Sequence, residues 1–252
     1  IILDETPEAI EELARKARDL TQRYFGRTIS LYAPLYISNY CESGCLYCGF
    51  RRDNQDIKRK KLTPDQMVEE MSCLARMGVQ NILILTGESR TETPPEYIAE
   101  AVRTATRFFS SVHIEIYPLE YEEYAMLVDK GVDGVTLYQE TYTQSRYTRL
   151  HPLGQKRDYA YRRSAPERIA KSGMRFISMG ILLGLHDVAE DVYELFSHLE
   201  WMERHYPSVE YNLSFPRINP VGDIPGGYRD VSDRLLVKLI CLARILFPRV
   251  GI

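Results

Sequence analysis

The chain has 252 residues, with 32 basic and 35 acidic side chains and a formal net charge of -3. It has no basic excess that would indicate a nucleic-acid partner, and no apolar run approaches the about 18 residues of a membrane span. The opening residues do not form a signal-peptide pattern, and three of the five cysteines lie close together, so we expect a reduced cytoplasmic protein without a disulfide framework.

The first predicted element is an amphipathic helix. From Pro7 to Tyr24 the apolar residues recur on one face, and Thr6 is a suitable N-cap before a proline. The next apolar stretch, residues 31–39, predicts a buried strand. Its regular part should begin near Leu35, because Pro34 has no N–H for a central ladder.

Three cysteines follow this strand, as Cys41, Cys45 and Cys48 in the spacing C-x3-C-x2-C. Converging thiolates suit zinc or an iron–sulfur cluster. A closed zinc site needs four ligands, and no nearby Cys or His completes the set. A [4Fe-4S] cluster held by three cysteines leaves one iron open for a small molecule. The aromatic Tyr47 and two small residues favour a tight loop around a cluster. A zinc site with a distant fourth ligand and structural thiols without metal remain as alternatives.

Helices and strands then alternate along the rest of the chain. In order, the predictions are a helix from Thr63 to Gly78, a strand over Asn81–Thr86, a helix over Pro95–Phe109, a strand over Val112–Ile116, a helix over Glu120–Asp129, a strand over Gly134–Gln139, a helix over Ala165–Ser172, a strand over Arg175–Leu183, a helix over Val188–His205, a strand over Tyr211–Phe215, a helix over Ser232–Phe247 and the start of a strand at Arg249–Ile252. Such alternation implies a parallel sheet with helices outside. Six units favour an α/β fold of the TIM-type or partial (β/α) barrel kind.

The cysteine spacing, with an aromatic residue before the third cysteine, resembles the signature of radical S-adenosylmethionine (SAM) enzymes. The resemblance implies a [4Fe-4S] cluster on the three cysteines and SAM as the cofactor, with Tyr47 beside it. It also implies a barrel domain over residues 29–252, incomplete at its C-terminal end, after an N-terminal helical segment over residues 1–28. In barrels of this kind the chemistry lies at the carboxyl ends of the strands.

Residues at the strand ends are therefore the candidates for SAM binding. Glu88 can accept hydrogen bonds from the SAM ammonium group, and Gly87 allows close approach of the backbone. The pair resembles the family's Gly-Gly-Glu element with Thr86 in place of the first glycine. Glu140 can accept hydrogen bonds from the ribose hydroxyls. Arg162 can pair with the SAM carboxylate. The alternatives are a solvated acid for Glu88, a helix-terminal acid for Glu140, and Arg157 or Arg163 in place of Arg162.

Further segments extend the resemblance from about Arg23 to Pro248. They are Cys48-Gly-Phe50, Leu85-Thr-Gly-Glu88, Tyr138-Gln-Glu-Thr-Tyr142, Gly180-Ile-Leu-Leu-Gly184 and Ser214-Phe-Pro-Arg217. They resemble the aromatic amino acid lyases of the radical SAM class, in particular the tyrosine lyases of thiamine biosynthesis (2-iminoacetate synthases). The resemblance implies cleavage of the Cα–Cβ bond of L-tyrosine to p-cresol and 2-iminoacetate (dehydroglycine). Thiazole synthase would be a partner, and flavodoxin or ferredoxin the electron donor.

The substrate contacts are less constrained by the sequence. Arg217 is the candidate for the substrate carboxylate, because an arginine fork fits a carboxylate, and a residue beyond Ile252 is the alternative. Tyr36 is the candidate for the phenol pocket. Three rival functions remain: the tyrosine lyase of iron-only hydrogenase maturation, which makes carbon monoxide and cyanide, a radical SAM lyase for another aromatic substrate, and a non-catalytic metal-binding module.

Overall fold

The computed structural model describes residues 6–219 and 221–252. Residues 1–5 of the predicted N-terminal segment, and Pro220, lie outside that range. The elements in chain order are α1 (Pro7–Phe25), β1 (Ala33–Ser38), α2 (Pro64–Arg76), β2 (Asn81–Thr86), α3 (Pro95–Ala105), β3 (Ser111–Glu115), α4 (Tyr121–Asp129), β4 (Gly134–Glu140), α5 (Gln144–Leu150), a 3-10 turn (Gln155–Arg157), α6 (Tyr159–Arg163), α7 (Ala165–Lys171), β5 (Phe176–Ile181), α8 (Val188–His205), β6 (Glu210–Ser214) and α9 (Asp233–Leu246).

The strands of the described residues form one parallel sheet in the order β1-β2-β3-β4-β5-β6. Each strand therefore lies beside its successor, as in a (β/α) barrel, but β1 and β6 are not paired and the sheet is open. The predicted partial barrel is confirmed. Near the C-terminus Gly251 makes a parallel bridge to Asn212, which is the start of the strand expected over residues 249–252.

The core lies between the sheet and the helices that cover its outer face. In β2, Ile82 and Ile84 are fully buried, and the other face is also largely closed, as expected of a parallel strand. Helices α2 and α8 begin at residues that satisfy their free N–H groups: Thr63 and Gln66 form a capping box at α2, and Asp187 accepts two backbone hydrogen bonds at α8. These caps fix where each helix leaves the rim of the sheet.

The N-terminal helix is not isolated from the sheet domain. Helix α1 packs against α9, and the guanidinium of Arg244 in α9 lies 4.3 Å from the ring centroid of Phe25. The division at residue 28 stays a prediction. A search of the helices in the described ranges finds no candidate membrane span.

Several element boundaries differ from prediction. Strand β1 begins at Ala33 and includes Pro34; because β1 is an edge strand, the missing N–H is tolerated there. Helix α3 ends at Ala105, before the predicted Phe109. The short helices α5 and α6 and the 3-10 turn between β4 and α7 were not predicted, because five to seven polar and aromatic residues carry no clear helical period.

Candidate functional site

The cysteine loop joins β1 to α2, and neighbouring loops hold it by backbone hydrogen bonds. The N–H of Glu42 donates to the carbonyl of Glu88 at 2.8 Å, which ties the loop to the end of β2. On the other side, the N–H of Leu46 donates to the carbonyl of Leu150 at 3.1 Å. The segments after β2 and α5 therefore fix the loop from two directions.

Gly87 is the point of closest approach between the end of β2 and the cysteine loop. A Cβ atom added at Gly87 would lie 2.2 Å from the carbonyl oxygen of Tyr40 and 3.2 Å from the Cβ of Cys41. Its N–H donates to the carbonyl of Ser38 at 3.0 Å. Glycine is needed here because any side chain would force two backbone segments apart.

All three clustered cysteines are free thiols. Burial raises the pKa of Cys45 to about 12, as expected when an apolar surrounding disfavours the thiolate. The N–H of Phe50 donates to the Sγ of Cys48 at 3.4 Å. In residues 6–219 and 221–252 no group of three or more His, Cys, Asp or Glu side chains is arranged to hold one metal ion. A cubane takes each thiolate on a different iron, so its ligand set stays a prediction.

Four charged side chains meet next to the cysteine loop, and we call them the charge network: Glu88, Glu140, Lys156 and Arg162. The Nζ of Lys156 lies 2.6 Å from an oxygen of Glu140 and 3.4 Å from one of Glu88. The Arg162 guanidinium lies 2.9 Å from the same oxygen of Glu88 and 3.5 Å from Glu140. Two cations thus neutralise two carboxylates at the rim of the sheet.

The charge network remains ionised although it is buried. Burial alone would raise the pKa of Glu88, but the Lys156 and Arg162 cations outweigh burial and lower that pKa to about 2. The same balance lowers the pKa of Glu140. For Lys156, burial disfavours the charged form, but the neighbouring carboxylates favour it more strongly. The pKa of Lys156 is therefore raised well above its usual value. Opposite charges at hydrogen-bond distance account for these directions.

The backbone of Glu140 is unusual and directs its carboxylate inward. Its φ of 71° is the one positive value in the left-handed region for a non-glycine residue in the described part of the chain, a conformation that costs about 1 kcal/mol or more. The buried carboxylate of Asp191 in α8 stabilises this turn, because it accepts hydrogen bonds from the Thr141 hydroxyl at 2.9 Å and the Tyr142 N–H at 2.8 Å.

The aromatic residue of the cysteine motif takes part in a buried polar chain. The hydroxyl of Tyr47 lies 2.8 Å from the Nε2 of His151, and the Nδ1 of His151 lies 2.7 Å from the carbonyl of Tyr147. Because a carbonyl only accepts, Nδ1 carries the proton and Nε2 accepts from Tyr47. Burial, and then the nearby Lys156, lower the pKa of His151 to about 3, so its ring is neutral.

The structure brings Glu88 and Glu140 together, as their positions at the strand ends led us to expect, and adds Arg162 from α6. Of the three arginines that the sequence left open, Arg162 is the buried one, with 5% of its surface exposed; its Nε also donates to the carbonyl of Tyr138 at 2.7 Å. Their roles toward SAM are not tested by these contacts and stay predictions.

The two substrate candidates are not members of the charge network. The Arg217 guanidinium donates to the carbonyl of Val231 at 3.0 Å and pairs with Asp233 at 2.6 Å. Tyr36 is 52% exposed, and its ring meets that of Phe50 edge-on at 5.5 Å. Both assignments stay predictions.

Sequence reasoning did not assign Lys156 or His151 to the site. Lys156 stands in a polar connection, where a lysine is normally solvated, and only the fold buries it between two carboxylates. His151 carried a weak signal, since it stands four residues after Tyr147 and can share a helix face with it. The two aromatic rings are in contact, tilted by 39° with centroids 4.1 Å apart.

Comparison with known proteins gives a consistent set of relatives. The model of the Radical SAM superfamily matches residues 35–199. The 2-iminoacetate synthase of Escherichia coli (strain K12) is 39% identical over 245 residues, which cover 96% of this chain and 64% of that protein.

Two crystal structures of maturases of the [FeFe]-hydrogenase are similar in fold. HydG superimposes with a TM-score of 0.94 at 30% identity, over 99% of this chain and 57% of that chain. HydG from Carboxydothermus hydrogenoformans gives a TM-score of 0.93 at 28% identity, over 99% of this chain and 59% of that chain. The chain thus spans less than two thirds of the length of these relatives. The family match covers more than half of the chain and includes the cysteine loop and the charge network, and the chain therefore belongs to the radical SAM superfamily.

Proposed function

We propose that this protein is a radical SAM lyase that cleaves the Cα–Cβ bond of L-tyrosine and releases p-cresol and 2-iminoacetate (dehydroglycine) for the thiazole ring of thiamine. The observation that carries the proposal is the 39% identity to a 2-iminoacetate synthase across 96% of the chain. The resemblance found in the segments around Glu88, Glu140 and Arg217 supports the same activity.

The residues beside the cysteine loop fit the cofactors of this chemistry. Three free thiols lie in one loop whose position is fixed by neighbouring backbone, and Cys41, Cys45 and Cys48 would each hold one iron of a [4Fe-4S] cluster. Together the cluster and SAM supply one-electron cleavage of a sulfonium and hence a radical that abstracts hydrogen from the substrate. In this proposal the barrel over residues 29–252 holds the reactants and excludes water.

The charge network would orient SAM by exchange of partners. Glu88 would accept the SAM ammonium group where it now accepts from Arg162, and Arg162 would pair with the SAM carboxylate. Glu140 would accept the ribose hydroxyls. Gly87 keeps the loop after β2 against the cysteine loop, and Tyr47 is held by His151 at the base of the site.

Substrate contacts and partners complete the proposal. Arg217 or a residue after Ile252 would bind the tyrosine carboxylate, and Tyr36 would line the phenol pocket. Flavodoxin or ferredoxin would supply the electron, and thiazole synthase would receive 2-iminoacetate, which is short-lived in water. We further propose the cytoplasm as the location, since clustered thiols stay reduced there.

A second candidate function rests on the solved structures. The TM-scores of 0.94 and 0.93 to HydG support the tyrosine lyase of hydrogenase maturation, which would go on to release carbon monoxide and cyanide. The higher identity to 2-iminoacetate synthase favours the thiamine enzyme.

The test is anaerobic reconstitution of the full-length protein with iron, sulfide, reductant, SAM and L-tyrosine. We expect p-cresol and 5′-deoxyadenosine in equal amounts. Cleavage of SAM without p-cresol would exclude tyrosine as the substrate, and release of carbon monoxide and cyanide would establish the maturase. The variant Cys45→Ala should form neither product, whereas Cys73→Ala, on the exposed surface of α2, should retain both.

A further inference from the structure

A third carboxylate, Glu115, stands at the rim beside the charge network. It is the last residue of β3, and the register of β3 with β4 places it level with Thr136, four residues before Glu140; it interacts electrostatically with Glu140. Burial alternates along β3, with Val112 and Ile114 buried in the core and Glu115 partly exposed. Because successive side chains of a strand point to opposite faces, Glu115 points away from the helices, into the interior of the partial barrel.

Charge is balanced in the network but not at Glu115. Lys156 and Arg162 neutralise Glu88 and Glu140. The Glu115 carboxylate makes no hydrogen bond or ion pair within residues 6–219 and 221–252, although it lies near enough to interact electrostatically with the network. A carboxylate that is partly removed from water and has no partner is costly. A ligand with a positive group would supply what is missing.

Two tyrosines lie on strands near this carboxylate, and the strand register places Tyr36 level with Leu85 and Leu85 level with Glu115. Tyr36 from β1 and Tyr138 from β4 both interact electrostatically with Glu115. The Tyr138 ring lies across Gly180, where a Cβ would come within 2.7 Å of the ring, and Tyr36 is backed by Phe50. Aromatic walls with one acceptor suit a ligand that carries both an aromatic ring and a cation.

The pKa of Glu115 is also shifted. Burial, and then the Glu140 carboxylate, raise its pKa to about 7, although the Lys156 and Arg162 cations oppose that rise. The other titratable groups that face it are the two tyrosine phenols of the walls. The α-amino group of a peptide N-terminus titrates at about 7.7–8.0, and that of a free amino acid titrates higher, because its own carboxylate stabilises the ammonium form. The amine is therefore the stronger base, and transfer of its proton to Glu115 depends on partial burial of the pair, which disfavours two charges.

Building on the function proposed above, we propose that Glu115 binds the ammonium group of the amino acid substrate and takes up one of its protons. The substrate R–NH3+ and the carboxylate become R–NH2 and the carboxylic acid, with no change in the number of electrons. The transfer replaces two charges in a site of low polarity by two neutral groups. It leaves the substrate nitrogen as a free amine, the form from which hydrogen can be abstracted.

The test measures binding to the reconstituted full-length holoprotein with SAM and without reductant, so that no turnover occurs. The ligands are L-tyrosine and 3-(4-hydroxyphenyl)propanoate, which lacks only the amino group. We expect Glu115→Gln to weaken L-tyrosine by about 10-fold or more, the effect of a hydrogen bond to a charged group, and to leave the analogue within about two-fold. Glu115→Asp should keep part of the preference for L-tyrosine.

The matched control is Glu210→Gln, which removes an exposed carboxylate of β6 that pairs with Arg175 and should change neither affinity. The affinity of the native protein for L-tyrosine should fall as the pH drops through about 7, and that of the Glu115→Gln variant should not. Circular dichroism shows whether each variant is folded.

Three results for Glu115→Gln would overturn the role of Glu115. The first is an unchanged preference for L-tyrosine over the analogue, and the second is an equal loss of affinity for both ligands. The third is a loss of affinity for SAM, which would assign the carboxylate to the sulfonium. If the native protein produces p-cresol and any of these three results is found, the role of Glu115 is refuted but the proposed function stands. Failure of the native protein to bind or cleave L-tyrosine refutes the proposed function, and with it the role of Glu115.

Discussion

Replacement of Gly87 by alanine tests whether the loop after β2 must lie directly against the cysteine loop. The new Cβ would stand 2.2 Å from the carbonyl oxygen of Tyr40, whereas non-bonded contacts are most favourable at about 3.5–4.0 Å. The backbone must therefore separate by about 1 Å or more, because no flexible side chain can move instead. Overpacking of this kind costs about 1–3 kcal/mol, and in a chain of this size each kcal/mol lowers Tm by about 2–4 °C.

The matched control is Gly49→Ala in the cysteine loop itself. A Cβ at Gly49 would touch, among the described residues, only the Cγ2 of Val221 at 3.8 Å, an ordinary contact. The assay is thermal unfolding, followed by iron analysis after anaerobic reconstitution. Gly87→Ala should melt earlier and bind fewer than the about four irons per chain of a [4Fe-4S] cluster. Equal melting temperatures and iron contents for the two variants would refute the reasoning.

Three other variants test separate parts of the site. Cys48→Ala should abolish reconstituted iron and sulfide while Cys73→Ala retains both; loss in both variants would contradict the assignment of the ligands. Arg162→Ala should lower the free energy of unfolding, measured in denaturant, by about 3–5 kcal/mol, because it removes one of the two cations that pair with the buried carboxylates. The control Arg163→Ala removes a cation 5.0 Å from a tyrosine ring and should lower that free energy by only about 0.5–1 kcal/mol. Burial lowers the pKa of His151 to about 3 in the folded protein, whereas its usual value is about 6.5. Between pH 6.5 and pH 3 the folded protein binds fewer protons than the unfolded chain, so its stability falls by about 1.4 kcal/mol for each pH unit of acidification. His151→Gln should flatten this fall in acid unfolding curves, and an unchanged slope would contradict a buried, neutral His151.

The fold could be predicted from the sequence where the pattern of apolar residues fits only one kind of element. The run Asn81–Thr86 was predicted to the residue, because a parallel strand covered on both faces is continuously apolar. The helix Val188–His205 was also predicted to the residue, and the structure shows Asp187 as its N-cap. Between β4 and α7 the chain makes short helices whose residues serve the site, such as Arg162, and there the pattern of burial no longer follows a helical period.

The candidate site could be predicted only in part, because several of its contacts join residues that are distant in the sequence. The cysteine spacing is local, so the sequence displays it directly. The pairing of Lys156 with Glu140 joins two residues from different segments at 2.6 Å, and a charged side chain in a connecting loop gives no sign that the fold will bury it. Glu115 was missed because its strand was predicted to run to Ile116, so it was counted among the strand residues.

The charge network completes its own set of ion pairs within the protein. The ammonium and the carboxylate of a ligand add no net charge between them, so in the proposed binding mode each of these groups would replace one member of the protein's own ion pairs. The affinity from these two groups would then reflect the difference between two sets of ion pairs. A ligand with only one of the two charges would strand an ion inside the barrel, and would be rejected on that ground alone.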